Sequence, residues 1–298
     1  MRVIGWLVVV GGIVGCGGEP VGPRVKREDP PVVVPPSQGT PYVFLANADG
    51  TGTVQLTAGN WPAWSPDGGR LALHRDGFVH VMNADGSQDI QVRQGGFAAW
   101  SPDGLRIAFA SEEGIAVMAA DGTRVTTLLS HGFRTDIDDR TDMGVGKPAW
   151  SPDGLRIVFE HFGEPEKHPS QIYAMNVDGT DVRRLTTRPD GVLHAESDPA
   201  WSPDGSRIVF WSQGDGLMSV AAEGGIPVRM YADASVITFA AKPSWFNDAL
   251  TYNTTPFAAT GPAIVVVAHG GSPRVLIQDG YHAAWTRDRS RIAFVRTR

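Results

Sequence analysis

A six-bladed, all-β propeller is the fold this sequence predicts, and two short markers that keep time along the chain predict it. The first is Trp-Ser-Pro-Asp-Gly, present in full at Trp64–Gly68, Trp100–Gly104, Trp150–Gly154 and Trp201–Gly205, with worn copies at Trp245 and Trp285. The second follows a short apolar strand: Asn47–Gly50, Asn83–Gly86, Ala119–Gly122 and Asn176–Gly179, with weaker copies at Ala221–Gly224 and Ala268–Gly271. Six units of four antiparallel strands, at roughly 40-residue spacing, are the signature of a propeller.

Each strand follows from local chemistry. In the first marker Pro presets φ, Asp tolerates the next position and Gly takes the positive φ that closes a tight turn. After the turn, Ile107 and Phe109 alternate with Arg106 and Ala108, the period of a strand. The pair recurs as Leu71/Leu73, Ile157/Phe159, Ile208/Phe210 and Ile292/Phe294. The fifth copy is two residues shorter, which predicts a two-residue hairpin at Asn247-Asp248. Asp-Gly between an apolar and a polar strand marks a second hairpin. One repeat is thus four strands, A to D, with tight turns at A–B and C–D. The chain opens with strands C and D (Tyr42–Leu45, Val54–Thr57) and closes with A and B (Ala283–Trp285, Arg291–Val295). Head and tail therefore share one blade, which leaves no loose edge.

The strings Pro148–Phe159 and Tyr173–Thr180, with Arg184-Leu185-Thr186, resemble the TolB-type propeller repeat. The resemblance covers about residues 40–298 and implies the fold far more specifically than it implies a function. TolB proteins also carry an N-terminal α/β domain, for which the residues ahead of the first repeat leave no room. A role in the Tol–Pal envelope system is accordingly not expected from the resemblance alone.

Residues 1–15 read as an export signal: Met1-Arg2, then an apolar run from Val3 to Val14. The run is too short for a bilayer span, which needs about 20 residues, and suits a signal peptide. Ile13-Val14-Gly15-Cys16 resembles a bacterial lipobox, which implies lipidation of Cys16, the single cysteine of the chain. Residues 16–40 form a proline-rich tether, and such stretches extend at about 3.1 Å per residue. Residues 41–298 form the propeller. The formal net charge of −6 gives no encouragement to nucleic-acid binding. The expected address is the bacterial envelope, with membrane contact through the lipid anchor only, on the periplasmic face of the outer membrane or at the cell surface. A monomer is expected.

Departures from regularity carry the functional information. From the second marker to the next Trp there are 15 residues between Asp49 and Trp64 and between Asp85 and Trp100. The interval is 29 from Asp121 to Trp150, 23 from Asp178 to Trp201 and 22 from Glu223 to Trp245. The B–C connection also lengthens in the third and fifth blades. D–A and B–C connections share one rim, and insertions on one face of a repeat protein commonly mark its binding face. The inserts are acidic: net −2 over His131–Gly146, −2 over Glu160–Pro169 and −3 over Pro189–Asp198. The candidate partner-binding residues are His131, Arg134, Asp136, Asp138, Asp139, Glu160, His161, Glu164, His168, His194 and Glu196. They predict a protein or other surface ligand of the envelope, with a basic one favoured by charge.

No cofactor is expected, and no metal site is assigned. The acidic loop at 136–142 has hard oxygen ligands but neither the spacing nor the glycine of an EF-hand. There is no Gly-x-Ser-x-Gly elbow. The recurrent Ser and Asp of the first marker are turn-formers, the recurrent Arg (Arg70, Arg106, Arg156, Arg207) is expected to pair with that Asp, and the tryptophans are blade packing. A non-catalytic binding module is the leading reading. The alternative is a propeller hydrolase or lyase acting on a carbohydrate or lactone, metal-dependent in some versions.

Overall fold

The structure is a computed structural model, and it describes residues 39–131, 144–162, 169–187, 194–230, 240–246, 249–254, 262–268 and 272–297. These form a unit that begins at Gly39. The expected signal, the lipidation site at Cys16 and nearly all of the tether lie outside the described residues.

Twenty-four strands make six sheets of four, with no helix among the described residues. The chain begins with β1 (Pro41–Asn47) and β2 (Val54–Ala58). Blade 1 is β3 (Asn60–Trp64), β4 (Arg70–Arg75), β5 (Phe78–Asn83) and β6 (Ile90–Gln94). Blade 2 is β7 (Gly96–Trp100), β8 (Arg106–Ser111), β9 (Gly114–Ala119) and β10 (Thr126–Ser130). Blade 3 is β11 (Val145–Trp150), β12 (Arg156–His161), β13 (Gln171–Asn176) and β14 (Arg183–Arg184). Blade 4 is β15 (Glu196–Trp201), β16 (Arg207–Ser212), β17 (Gly216–Ala221) and β18 (Val228–Arg229). Blade 5 is β19 (Ala240–Phe246), β20 (Ala249–Thr254), β21 (Ala263–Ala268) and β22 (Arg274–Gln278). Blade 6 takes β23 (Tyr281–Trp285) and β24 (Arg291–Thr297) from the tail and β1 and β2 from the head, in the order β2-β1-β24-β23. The predicted closure is therefore the observed one.

The turn after each Trp is held as its residue types require. In blade 2 the Ser101 hydroxyl, itself buried, donates to Asp103 Oδ1 at 2.5 Å and accepts the Arg106 amide at 2.9 Å. Asp103 also accepts the Leu105 amide at 2.9 Å. These bonds, the Ser101 hydroxyl first, hold its carboxyl below the usual range. Gly104 takes φ +71°, where a side chain would strain the backbone. Phe246 pairs with Ala249 with two residues between them, as the shortened fifth turn requires; Asn247 and Asp248 themselves lie outside the described residues.

Two details differ from the sequence reading. The recurrent Arg does not make an ion pair with the turn Asp. Instead three of the four lie over the Trp of the next blade, Arg70 over Trp100 at 4.6 Å, Arg106 over Trp150 at 4.7 Å and Arg156 over Trp201 at 4.9 Å, while Arg207 donates to the Ser219 hydroxyl at 2.6 Å. Arg291 closes the circle over Trp64 at 4.8 Å. A desolvated aromatic face holds a guanidinium better than an exposed carboxylate does, at about 0.5–2 kcal/mol per contact. The second difference is that β14 and β18 have only two residues each. Past β14 the chain leaves its own sheet, and Thr186 makes a parallel bridge to Gly225 of the next blade.

The core lies between the blades. Six apolar clusters fill the six gaps, each drawing on two neighbouring sheets. The tryptophans stitch the gaps: Trp100, Trp150 and Trp201 donate Nε1–H to the carbonyls of Ala63, Ala99 and Ala149 at 3.1–3.2 Å. They are packing residues, as their recurrence implied.

Candidate functional site at the channel mouth

The inner strand of every blade carries the same irregularity. In blade 1, Asn60 pairs with His74 and Ala63 with Ala72, so Trp61 and Pro62 together oppose Leu73. This is a β-bulge, and its first residue has φ +48°. The bulge recurs at Phe97 (φ +53°), Lys147 (+49°), Asp198 (+55°), Lys242 (+52°) and His282 (+51°). Each stands three residues before its blade's Trp. Opposite the bulges sit Leu73, Phe109, Phe159, Phe210, Tyr252 and Phe294, all buried. A left-handed conformation costs a non-glycine residue about 1–3 kcal/mol, and bulges re-aim side chains next to functional sites. Six such residues, none of them Gly or Asn, is a cost the fold bears in every blade.

Five of the six line a central cavity of about 270 Å³, together with Pro62, Pro148, Pro199 and Pro243. Because each is the second or third residue of its inner strand, the ring lies toward the rim where D–A connections enter. Around the ring the order is Trp61, Phe97, Lys147, Asp198, Lys242, His282. One arc is aromatic and the other charged.

On the charged arc, Lys147 Nζ lies 3.0 Å from Glu160 and 3.1 Å from Asp198. Glu160, the fifth residue of β12, is 4% exposed and stands behind this pair without lining the cavity. Burial drives its pKa up to about 7, although Lys147 pulls the other way. Burial would lower Lys147, but Asp198 and Glu160 together push it above its ordinary value. Among the described residues Lys242 has no such partner. Its Nζ donates to the Pro62 carbonyl at 2.9 Å, reaching past blade 6 to blade 1. Burial brings its pKa down to about 8, opposed by Asp198.

The aromatic arc is keyed by His282. Trp61 Nε1–H donates to His282 Nε2 at 3.2 Å, so that nitrogen is the acceptor and Nδ1 carries the proton. Nδ1–H then reaches Asn60 Oδ1 at 2.6 Å. Burial, with Lys242 and Lys147 nearby, lowers the His282 pKa to about 3, so it stays neutral. Trp61 packs on Phe97 and His74 with centroids 4.4 and 5.5 Å apart.

Of the residues singled out from sequence, those that the structure describes do not form one cluster. Arg134, Asp136, Asp138, Asp139, Glu164 and His168 lie outside the described residues. His131 is exposed and pins its own connection: Nε2–H donates to Ser111 O at 3.2 Å, and the Val145 amide donates to Nδ1 at 3.2 Å. His161 packs on Tyr173 at 5.3 Å. His194 faces Asp215 at 2.8 Å. Glu196 is fully buried, where an exposed rim residue was expected, and accepts the Thr186 hydroxyl at 2.5 Å. Its carboxylate ties β15 to the departing outer strand of blade 3. Of the five that the structure describes, only Glu160 belongs to the channel cluster. Among the described residues no group of three His, Cys, Asp or Glu side chains is placed to hold a metal ion.

Sequence reasoning missed Trp61, Phe97, Lys147, Lys242 and His282, and counted Asp198 only as loop charge. A signal existed. Three residues before each Trp, five different residue types occupy the six copies of an otherwise regular repeat, while Pro or Ala follows each.

No protein-family model matches the chain, and no curated protein matches it. Among solved structures it aligns with a protein assigned as TolB from Agrobacterium tumefaciens at 20% identity and a TM-score of 0.69, over 88% of this chain and 99% of that one. A TolB from Acinetobacter baumannii aligns at 16% identity and 0.57, over 87% of this chain but 65% of that one, so this chain spans under two thirds of its length. A gluconolactonase from Xanthomonas campestris aligns at 15% and 0.58, over 80% of this chain and 85% of that one. At these identities what is shared is the fold, and the fold of this chain is a TolB-like six-bladed β-propeller.

Proposed function

We propose that this protein is a non-catalytic envelope lipoprotein, anchored through Cys16, whose propeller binds a protein partner at the rim formed by the D–A and B–C connections. One observation carries the reading. The ring of six bulged residues, where five different side chains interrupt an otherwise regular repeat, lies toward the same rim as the lengthened acidic connections. Uniform positions build the propeller, and these are the ones left free to recognise something. The TolB structures of similar fold favour an envelope address and a protein partner. The acidic inserts favour a basic contact surface on that partner.

Affinity capture from envelope extracts tests this. The wild-type chain should retain a partner that a variant with Asp138, Asp139 and Glu164 all changed to Lys retains at least tenfold less, with the loss shrinking as salt rises. Equal capture by both would remove the acidic rim from the account. Replacing Cys16 with Ser should move the protein from the membrane to the soluble fraction; unchanged fractionation would refute the anchor.

A lactone- or carbohydrate-directed hydrolase or lyase is the second reading. A carboxyl with a pKa of about 7 beside a lysine favours it, since a general base works best near ambient pH. The gluconolactonase fold is compatible with it. Against it, Glu160 is buried behind Lys147 and does not line the cavity. Turnover of a lactone panel that Glu160→Gln abolishes would favour the enzyme over the binding module.

A further inference from the structure

The charges of the channel do not balance. Lys147 has two carboxylates within 3.1 Å, and burial beside two lysines keeps His282 neutral. Lys242 keeps an amine in the same enclosed space with a single neutral acceptor, the Pro62 carbonyl. Among the described residues no carboxylate lies within 4 Å of it. An ammonium group makes three hydrogen bonds, and a desolvated cation without a counter-ion is costly. The residue is also held in a left-handed conformation at φ +52°, so the fold pays twice to present it. Facing it across the cavity are the apolar surfaces of Trp61, Phe97 and Pro62.

We propose that the channel mouth is a binding site for a small organic anion, a monocarboxylate on an apolar body, with Lys242 as its charge anchor and Trp61 and Phe97 as the wall for its body. This rests on reading that mouth as the working face, but it concerns a small ligand rather than the protein partner. The volume fits: about 270 Å³ lies just below the range of about 300–1,000 Å³ typical of ligand pockets, so the occupant is small. The chemistry fits as well. Such pockets are mostly apolar with a few placed polar groups, and here the polar group without a protein counter-ion is a cation. Asp198 also faces Lys242 and would repel an anion, but Lys147 holds its carboxylate at 3.1 Å. Lys147, like Lys242, adds positive potential. Glu160 opposes it once ionised, and His282 contributes no charge.

Direct titration of the full chain tests the site, with benzoate as the probe and benzamide as its uncharged counterpart of the same shape. Benzoate should bind at least tenfold more tightly below pH 7. That preference should fade as pH rises past about 8, where Lys242 loses its proton and Glu160 has become charged. Lys242→Met should erase the preference. Met fills similar space without a charge, so a thermal unfolding curve at or above the wild-type one confirms that the variant is intact. Equal binding of the two probes, no benzoate binding up to about 10 mM, or a preference that survives in Lys242→Met would each overturn the proposal. Should the variant fail to fold, the pH series on the wild type decides: a benzoate preference undiminished well above pH 8 overturns it. Partner capture and benzoate binding are separate readouts. Lost capture with Lys242-dependent benzoate binding refutes the protein-partner reading alone; normal capture without benzoate binding refutes the anion site alone.

Discussion

Phe44→Ala is expected to destabilise the protein by about 3–5 kcal/mol, the range for emptying a buried aromatic site. Phe44 is 4% exposed, pairs in register with Phe294 and stacks on it with centroids 5.7 Å apart. These two residues come from opposite ends of the chain. The contact therefore holds the ring shut as well as filling a gap. The pairing of β1 with β24 runs through seven consecutive residue pairs, more than any other strand pair described. It also sits in the middle of its blade, not at an edge. Opening it would leave two long unpaired edges where there had been none. Val54→Ala, in β2 of the same blade, provides the control: Val54 is 58% exposed, and its truncation should stay within about 0.5 kcal/mol. Chemical denaturation of both variants measures the difference. Similar small losses would mean that head and tail merely lie together and that the ring does not depend on their union.

The blades were legible in the sequence because each is announced by local chemistry. A turn that needs Pro, Asp and Gly in order, followed by alternating Ile and Phe, can be read without knowing where the strand will lie. The connection from blade to blade was not legible. Arg106 looks equally suited to Asp103 beside it and to Trp150 in the next blade, and only the packed geometry puts it over the indole. The channel was hidden for a related reason. A positive φ is normally inferred from Gly or Asn, and here it falls on Trp, Phe, Lys, Asp, Lys and His. Lys147, Glu160 and Asp198 converge only because three strands of two blades bring them together. The histidines were grouped because the connections that carry them share one rim. In the structure His131, His161 and His194 each turn to separate neighbours. Glu196 shows the limit of counting charge: a carboxylate in an acidic insert was taken for surface, and it is buried.

Lys147→Met should cost about 3 kcal/mol at pH 8 and much less at pH 5. Removing one partner of a buried ion pair leaves the other charge uncompensated, typically at about 3–5 kcal/mol. Lys147 is 23% exposed, Glu160 5% and Asp198 15%, so the low end of that range applies. The pH dependence follows from Glu160. Its folded pKa of about 7 lies above its ordinary value of 4.5, so the folded protein retains a proton that the unfolded chain has released. Stability from this group is fully present below 4.5 and is lost as pH rises through about 7. Without Lys147 the main influence holding that pKa down is gone. The loss then continues to higher pH in the variant after it has levelled off in the wild type. At pH 5 Glu160 is protonated in both, and only Asp198, the more exposed carboxylate, is left without its cation. The difference between variant and wild type, which cancels groups that titrate alike in both, should therefore grow from about 1 kcal/mol at pH 5 to about 3 at pH 8. Lys147→Met combined with Glu160→Gln should recover most of the loss at pH 8, because the amide carries no charge to strand. Urea denaturation at the two pH values, across the single variants and the double, settles it. A penalty that is the same at both pH values, or a double variant no more stable than Lys147→Met, would mean that Glu160 is not the group Lys147 neutralises.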